Sequence, residues 1–228
     1  MAEVELTWAG DVATIALTRA AKRNAVTIAM QHELIDALDQ VAARPQARAV
    51  VLTGQGSDFC VGGDRAIIAR LAGDPAFREV TAALHNRVVR RLFALDVPLI
   101  AAVEGAALGF GAELAACCDM VLMGATARLG DPHVRFGLPP APVILLVWPQ
   151  LASRLAVAEL VMTGRDVLAP EAVTLGLASR MVAAGTALAE AQALAGTIAA
   201  LPAHGVRQAR RAMRLQIADI DRLYLDAP

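Results

Sequence analysis

The sequence predicts an α/β fold, and three observations carry that expectation. Two short apolar runs, residues 47–53 and 99–103, suit strands buried in a parallel sheet. They alternate with longer segments whose apolar residues recur at helical spacing. Each run also leads into a glycine-rich turn, at 54–64 and at 105–113. The 228 residues are enough for one sizeable core without disulfides or metal.

Taken in order, residues 4–8 and 12–18 alternate apolar and polar side chains around Gly10-Asp11, which reads as a hairpin. Residues 28–42 carry Met30, Leu34, Leu38 and Val41 at helical spacing, and the valine-rich strand 47–53 follows. A helix over 76–95 runs through Asp96-Val97-Pro98 into the strand 99–103. Beyond the second turn, a helix over 111–117 precedes a strand at 120–123. From Pro132 onward prolines punctuate helices at 143–150, 152–163 and 170–175, with a last strand at 179–182. Residues 187–200 and 203–217 read as amphipathic helices separated by Pro202. The expected division is a core over 1–184 and a helical segment over 185–228.

Composition excludes several function classes. The chain is 57% hydrophobic, but alanine carries much of that, and the stretch 136–149 is too short for a spanning helix and holds Pro139, Pro140, Pro142 and Pro149. No membrane partner is expected. Acidic residues stand at Glu3 and Glu5, where an export signal needs positive charge, so a cytoplasmic location is expected. Cys60, Cys117 and Cys118 are an odd set without metal-ligand spacing, which reads as free buried thiols and no metal. A formal net charge of −1 and an aromatic content of 4% give nucleic acid no purchase. Arg207, Arg210, Arg211 and Arg214 share one helical face and read as a solvated stripe, with a phosphate or partner contact as the alternative.

Chemistry concentrates on the two turns. Glycine allows close approach and unusual backbone angles, so such turns aim N–H groups at a ligand oxygen, although each alone also fits an ordinary tight turn. Gly109-Phe110-Gly111-Ala112-Glu113-Leu114 lacks the third glycine of a dinucleotide fingerprint, and no Walker pattern is present.

The two turns together, with their surroundings, resemble the crotonase superfamily, the enoyl-CoA hydratase/isomerase family. Arg23-Asn24-Ala25-Val26 is similar to its Arg-Asn-Ala-Leu segment, and Phe59-Cys60-Val61-Gly62-Gly63-Asp64 to its first turn. Pro98 to Gly105 resembles the strand entering the second turn, and Glu159 to Arg165, Glu171-Ala172 and Leu175 to Ala178 resemble later blocks. The resemblance implies a crotonase-like (ClpP/crotonase) spiral of strand-strand-helix repeats over 1–184. It also implies a homotrimer or hexamer and an acyl-CoA substrate in fatty acid metabolism. Coenzyme A then enters as part of the substrate, with no separate cofactor.

By the same resemblance the backbone N–H groups of Gly63 and Phe110 form an oxyanion hole for a thioester enolate. Val61, Gly62, Asp64, Gly109 and Gly111 are expected to bind substrate around them. Glu113 matches one catalytic glutamate, whereas His133 stands where the family has a second, in Asp131-Pro132-His133. Histidine titrates near 6.5 rather than about 4.3, so a Glu–His pair still moves protons near neutrality.

A hydratase or isomerase is therefore the expected function. One alternative is a β-diketone carbon–carbon hydrolase, suggested by His133 and Trp148-Pro149, although its supporting aspartate would fall on Pro142. Another is a catalytically weak acyl-CoA-binding protein, since Pro140-Ala141-Pro142 stands where relatives have a more open helix start. Asp64, Asp119 and Glu104 read as structural, His32, His85 and His204 as surface or packing residues, and His133 has a bland alternative as a helix-end surface histidine. The chain also stops at Tyr224 to Pro228, where relatives commonly continue.

Overall fold

In the computed structural model residues 2–214 are described. Val4–Ala9 (β1) and Val12–Leu17 (β2) pair antiparallel across Gly10, whose φ of +60° suits the tight turn. Thr27 caps the next helix, Ile28–Ala42 (α1), by accepting the Met30 N–H at 2.9 Å. Ala49–Gly54 (β3) follows, then Arg65–Gly73 (α2) and Pro75–Ala94 (α3). Asp64 caps α2 through the Ala66 N–H, and Asp74 caps α3 through the Phe77 N–H with Pro75 in the first turn.

Leu99–Val103 (β4) and Ala106–Leu108 (β5) then lead into Phe110–Ala116 (α4), and Met120–Gly124 (β6) leads into Arg128–Gly130 (β7). A 3₁₀ turn, His133–Phe136, precedes Pro142–Leu151 (α5) and Arg154–Thr163 (α6). Val167–Leu168 (β8), Ala169–Leu175 (α7), Arg180–Val182 (β9), Ala187–Ala199 (α8) and Ala203–Arg214 (α9) complete the described chain. Among the described residues no helix is long and apolar enough to cross a membrane.

Six strands form one sheet in the order β1-β2-β3-β4-β6-β9, parallel from β2 onward, and β5-β7-β8 form a second. Consecutive strands β4 and β5, and again β6 and β7, divide between the two sheets. This is the expected spiral. Alternation along each strand feeds two packed faces. Val50, Leu52, Leu99 and Ala101 join Leu34, Leu38, Leu84, Val88 and Leu92 of α1 and α3 in the larger core. Ala49, Val51, Ile100, Ala102 and Leu122 meet Ala187, Ala191 and Ala195 of α8 on the other side. Side chains that small allow helix and sheet to approach closely.

Among the α-helices and strands described, four were not expected from the sequence: α2, β5, β7 and β8. The three strands are two or three residues long, too short for a period-2 signal, and α2 exposes most of its length to solvent. The arginine stripe requires a correction. Arg210 is buried with its Nε 2.8 Å from Asp119, Arg214 contacts the other oxygen of the same carboxylate at 2.7 Å, and Arg211 forms a two-point pair with Asp96. The stripe therefore fastens α9 to the core instead of facing water. The helix expected over 203–217 is seen through Arg214, and residues 215–217, like Tyr224 to Pro228, lie outside the described residues. Glu104 is structural as expected, accepting the Ala187 N–H at 2.9 Å where α8 begins.

Candidate active site

The first turn is braced from below by the segment before α1. Arg23 and Asn24 both adopt positive φ, 53° and 55°, a conformation that needs compensation in residues with side chains. Compensation comes from hydrogen bonds. Asn24 donates to the carbonyls of Gln55 and Asp58 at 2.9 and 2.7 Å, and Arg23 forms a two-point pair with the Asp58 carboxylate at 2.8 and 3.0 Å. The Arg23 guanidinium, above all, holds the Asp58 carboxyl down at about 2. The same carboxylate accepts the Ala106 N–H at 2.9 Å, so it ties the first turn to the second.

From there the turns run side by side. Cys60 donates to Ala106 and Leu108 donates back to Cys60, both at 2.9 Å, forming a parallel bridge between Cys60 and Ala107. Beyond that bridge Gly62 lies against Leu108 and Gly109, the residues just before Phe110. Gly62, at φ +90°, approaches so closely that an added Cβ would stand 3.0 Å from the Leu108 oxygen. Val26 donates to Gly62 and accepts from Asp64, so Gly63 between them turns its own N–H away from Val26. Among the described residues neither the Gly63 nor the Phe110 N–H has a hydrogen-bond acceptor.

Both residues line a cavity of about 990 Å³, together with Val61, Gly62, Asp64, Gly109, Glu113 and His133. Gly111 does not reach it. An added Cβ there would meet the Cys60 carbonyl oxygen at 2.2 Å, so this glycine lets α4 seat against the first turn instead of touching a ligand. His32 and His204 are exposed and away from the cavity, while Asp64 caps α2 and pairs with Arg19 at 3.1 Å. Asp119 ties backbone as expected, accepting the Leu99 N–H at 2.8 Å.

Glu113 stands one turn into α4 and is buried. One carboxylate oxygen accepts the Val143 N–H at the start of α5 at 3.3 Å, where a helix N-terminus favours negative charge. The other lies 3.3 Å from Nε2 of His85. Sequence reasoning missed His85 as a site residue. It follows Thr81 by four residues on the inward face of α3, lines the cavity, and packs against the Phe110 ring at a tilt of 48° with centroids 4.5 Å apart. Burial would lower the His85 pKa, but the charge and hydrogen bond of Glu113 outweigh it and raise the pKa above the ordinary histidine value.

His133 belongs to the 3₁₀ turn, and its Nδ1 is held by the Asp131 carboxylate. Asp131 is enclosed, and its second oxygen accepts the Ala141 N–H at 2.7 Å. The hydrogen bond to Asp131 raises the His133 pKa. Burial alone would raise the Asp131 carboxyl, yet the histidine holds it below its usual range. The ring sits at the second turn, with Cε1 3.6 Å from where a Gly109 Cβ would stand. Asp131 was also missed, and it supplies the carboxylate whose absence from position 142 had counted against an acid-supported histidine. The Asp-Pro-His spacing was the available signal, because an aspartate two residues before a turn residue readily bonds forward.

Comparison with known proteins gives a consistent result. Residues 8–227 match the family described as enoyl-CoA hydratase/isomerase. The chain is 38% identical over 193 residues to a Thermus thermophilus protein provisionally named an enoyl-CoA hydratase, covering 83% of this chain and 75% of that one. It is 32% identical over 213 residues to the crotonyl-CoA hydratase of Syntrophomonas wolfei, covering 92% and 81%. Its fold superposes on a crystal structure of an enoyl-CoA hydratase/isomerase from Mycobacterium paratuberculosis with a TM-score of 0.92 at 32% identity, covering 99% and 90% of the two chains.

Proposed function

The chain belongs to the enoyl-CoA hydratase/isomerase family, and from that premise we propose that it adds water across the double bond of an α,β-unsaturated acyl-CoA thioester. It is an enzyme of the hydratase/isomerase type. The observation that carries the finer reading is the parallel bridge joining the two turns, with Gly63 and Phe110, whose N–H groups have no acceptor among the described residues, both lining one cavity.

In this reading the thioester oxygen accepts both N–H groups. Water adds at the β-carbon, and the displaced electron pair collects on that oxygen as an enolate. Fixed donors stabilise the charge without having to reorganise, and each contributes about 3 kcal/mol in comparable sites. Glu113 and His133 manage the two protons, one leaving the water and one reaching the α-carbon. His133 suits delivery, because Asp131 favours its protonated form and leaves Nε2 free to donate. Val61, Gly62, Asp64 and Gly109 shape the surrounding wall.

Coenzyme A is then part of the substrate, and no separate cofactor takes part. The same reading puts the enzyme in cytoplasmic fatty-acid metabolism as a homotrimer or hexamer. Leu155 and Met162, both exposed on one face of α6, support burial against another copy.

The test is incubation with short and medium enoyl-CoA thioesters in deuterated water. Loss of the conjugated-enoyl absorbance, with a hydroxyacyl product bearing deuterium at the α-carbon, is the expected result. Deuterium exchange without hydration would reassign the enzyme as an isomerase, and failure to consume any enoyl thioester would contradict both activities.

A further inference from the structure

We propose that His85 is itself a catalytic residue, which takes the proton from the attacking water while Glu113 positions it from behind, so that both groups meeting the substrate are imidazoles. The proposal rests on the enoyl-CoA reading above and reassigns one role within it. Its basis is a pattern that repeats on the cavity wall. In each histidine–carboxylate pair the histidine is the more exposed member: 23% for His85 against 2% for Glu113, and 32% for His133 against 0% for Asp131. In each pair the carboxylate is also held by a backbone N–H at the start of α5, from Val143 or from Ala141.

Glu113 is thereby occupied on both oxygens, one by Val143 and one by His85. Glu113 lines the cavity too, but its carboxylate is contacted on both oxygens and is only 2% exposed against 23% for His85, so the imidazole is the more open of the two proton acceptors. His85 has only Nε2 engaged, and among the described residues its Nδ1 has no partner. Its ring packs, tilted by 48°, against that of Phe110, which also lines the cavity and whose N–H has no acceptor among the described residues. The bulky side chain at that turn therefore acquires a purpose: it orients an imidazole beside the oxyanion position.

The proton balance is complete. His85 Nδ1 takes a proton as the water oxygen bonds to the β-carbon, and the π pair moves to the thioester oxygen held by Gly63 and Phe110. His133 Nε2–H then protonates the α-carbon as the enolate collapses. His85 ends protonated and His133 neutral, and exchange with solvent resets both. The titratable groups acting on His85 are Glu113 from α4 and His133 across the cavity. Since Glu113 raises the His85 pKa, the neutral base is lost as pH falls through a value above the ordinary 6.5. His85 thus sets the acid limb of the pH–rate profile.

Three variants test this with enoyl-CoA hydration as the readout. His85→Gln should lower kcat about 10²- to 10⁴-fold with little change in KM. Added imidazole should restore part of the activity to His85→Ala, because the vacated space adjoins the cavity. Glu113→Gln should retain more activity than His85→Gln, with its acid limb moved to lower pH. The proposal is overturned if His85→Gln keeps the wild-type rate and acid limb while Glu113→Gln abolishes turnover. Should the variants fail to fold, wild-type protein with ¹⁵N-labelled histidine settles it. A bound saturated acyl-CoA should shift the free Nδ1 of His85 as well as Nε2 of His133, and a response of His133 alone would overturn the role. A wild-type enzyme that consumes no enoyl thioester would instead bring down the enoyl-CoA reading, and this proposal with it.

Discussion

His85–Glu113 and His133–Asp131 are one chemical pair built in two ways. The first joins α3 to α4 across 28 positions of chain and exists only once the two turns, the sheet and both helices are assembled. The second spans two residues in one loop and needs little beyond a local turn and the start of α5. The distant pair therefore depends on the fold, whereas the local pair is a motif that the fold merely orients. Each limb of the pH profile should accordingly answer to different parts of the chain.

The largest effect expected outside the variants already described is at His133. Replacing it by Ala should cut hydration about 10²- to 10⁴-fold, since the α-proton then has no positioned donor. Stopped-flow or steady-state rates at saturating substrate check this. Next comes Asp131→Asn, expected to lower kcat roughly 10- to 100-fold, because the carboxylate both fixes the ring and favours the imidazolium. Without that charge the His133 pKa falls toward its ordinary value, so the donor is lost at lower pH and the basic limb moves down while the acid limb stays. Movement of both limbs together would show that the two pairs are not separable.

A smaller change should follow Phe110→Leu, which removes the ring against His85 but keeps the backbone N–H. A decrease of several-fold, confined to kcat and the acid limb, is expected for a contact worth about 1 kcal/mol. Stability offers the remaining contrast. Asp58→Asn breaks the link among Arg23, the first turn and Ala106, and should cost about 1–3 kcal/mol in urea unfolding. Asp58 has a folded pKa of about 2, below its unfolded value, so its contribution is present above pH 4 or so and fades as pH falls toward about 2. In the variant that pH dependence should flatten.

Much of the fold was legible because its main strands are buried on both faces and end in glycine turns. The run 99–103 is observed with those same bounds, and so is the helix 28–42. Short β5, β7 and β8 left no periodic trace, since their pairing is set by strands elsewhere in the spiral. At the site, Gly63, Phe110, Glu113 and His133 could be named through motifs local in sequence. His85 could not, because nothing in 75–94 tells which turn of that helix faces a carboxylate on α4. Arg210 and Arg214 were misread for a related reason: charge at helical spacing looks solvated until Asp119 is brought beneath it.

A crystal structure with a slowly reacting acyl-CoA thioester is the most direct test of the two-turn oxyanion site. Its carbonyl oxygen should lie roughly 2.7–3.1 Å from the backbone nitrogens of both Gly63 and Phe110, with the imidazoles of His85 and His133 flanking the acyl carbons. A thioester oxygen bonded to neither amide, or to one with the other turned away, would contradict it.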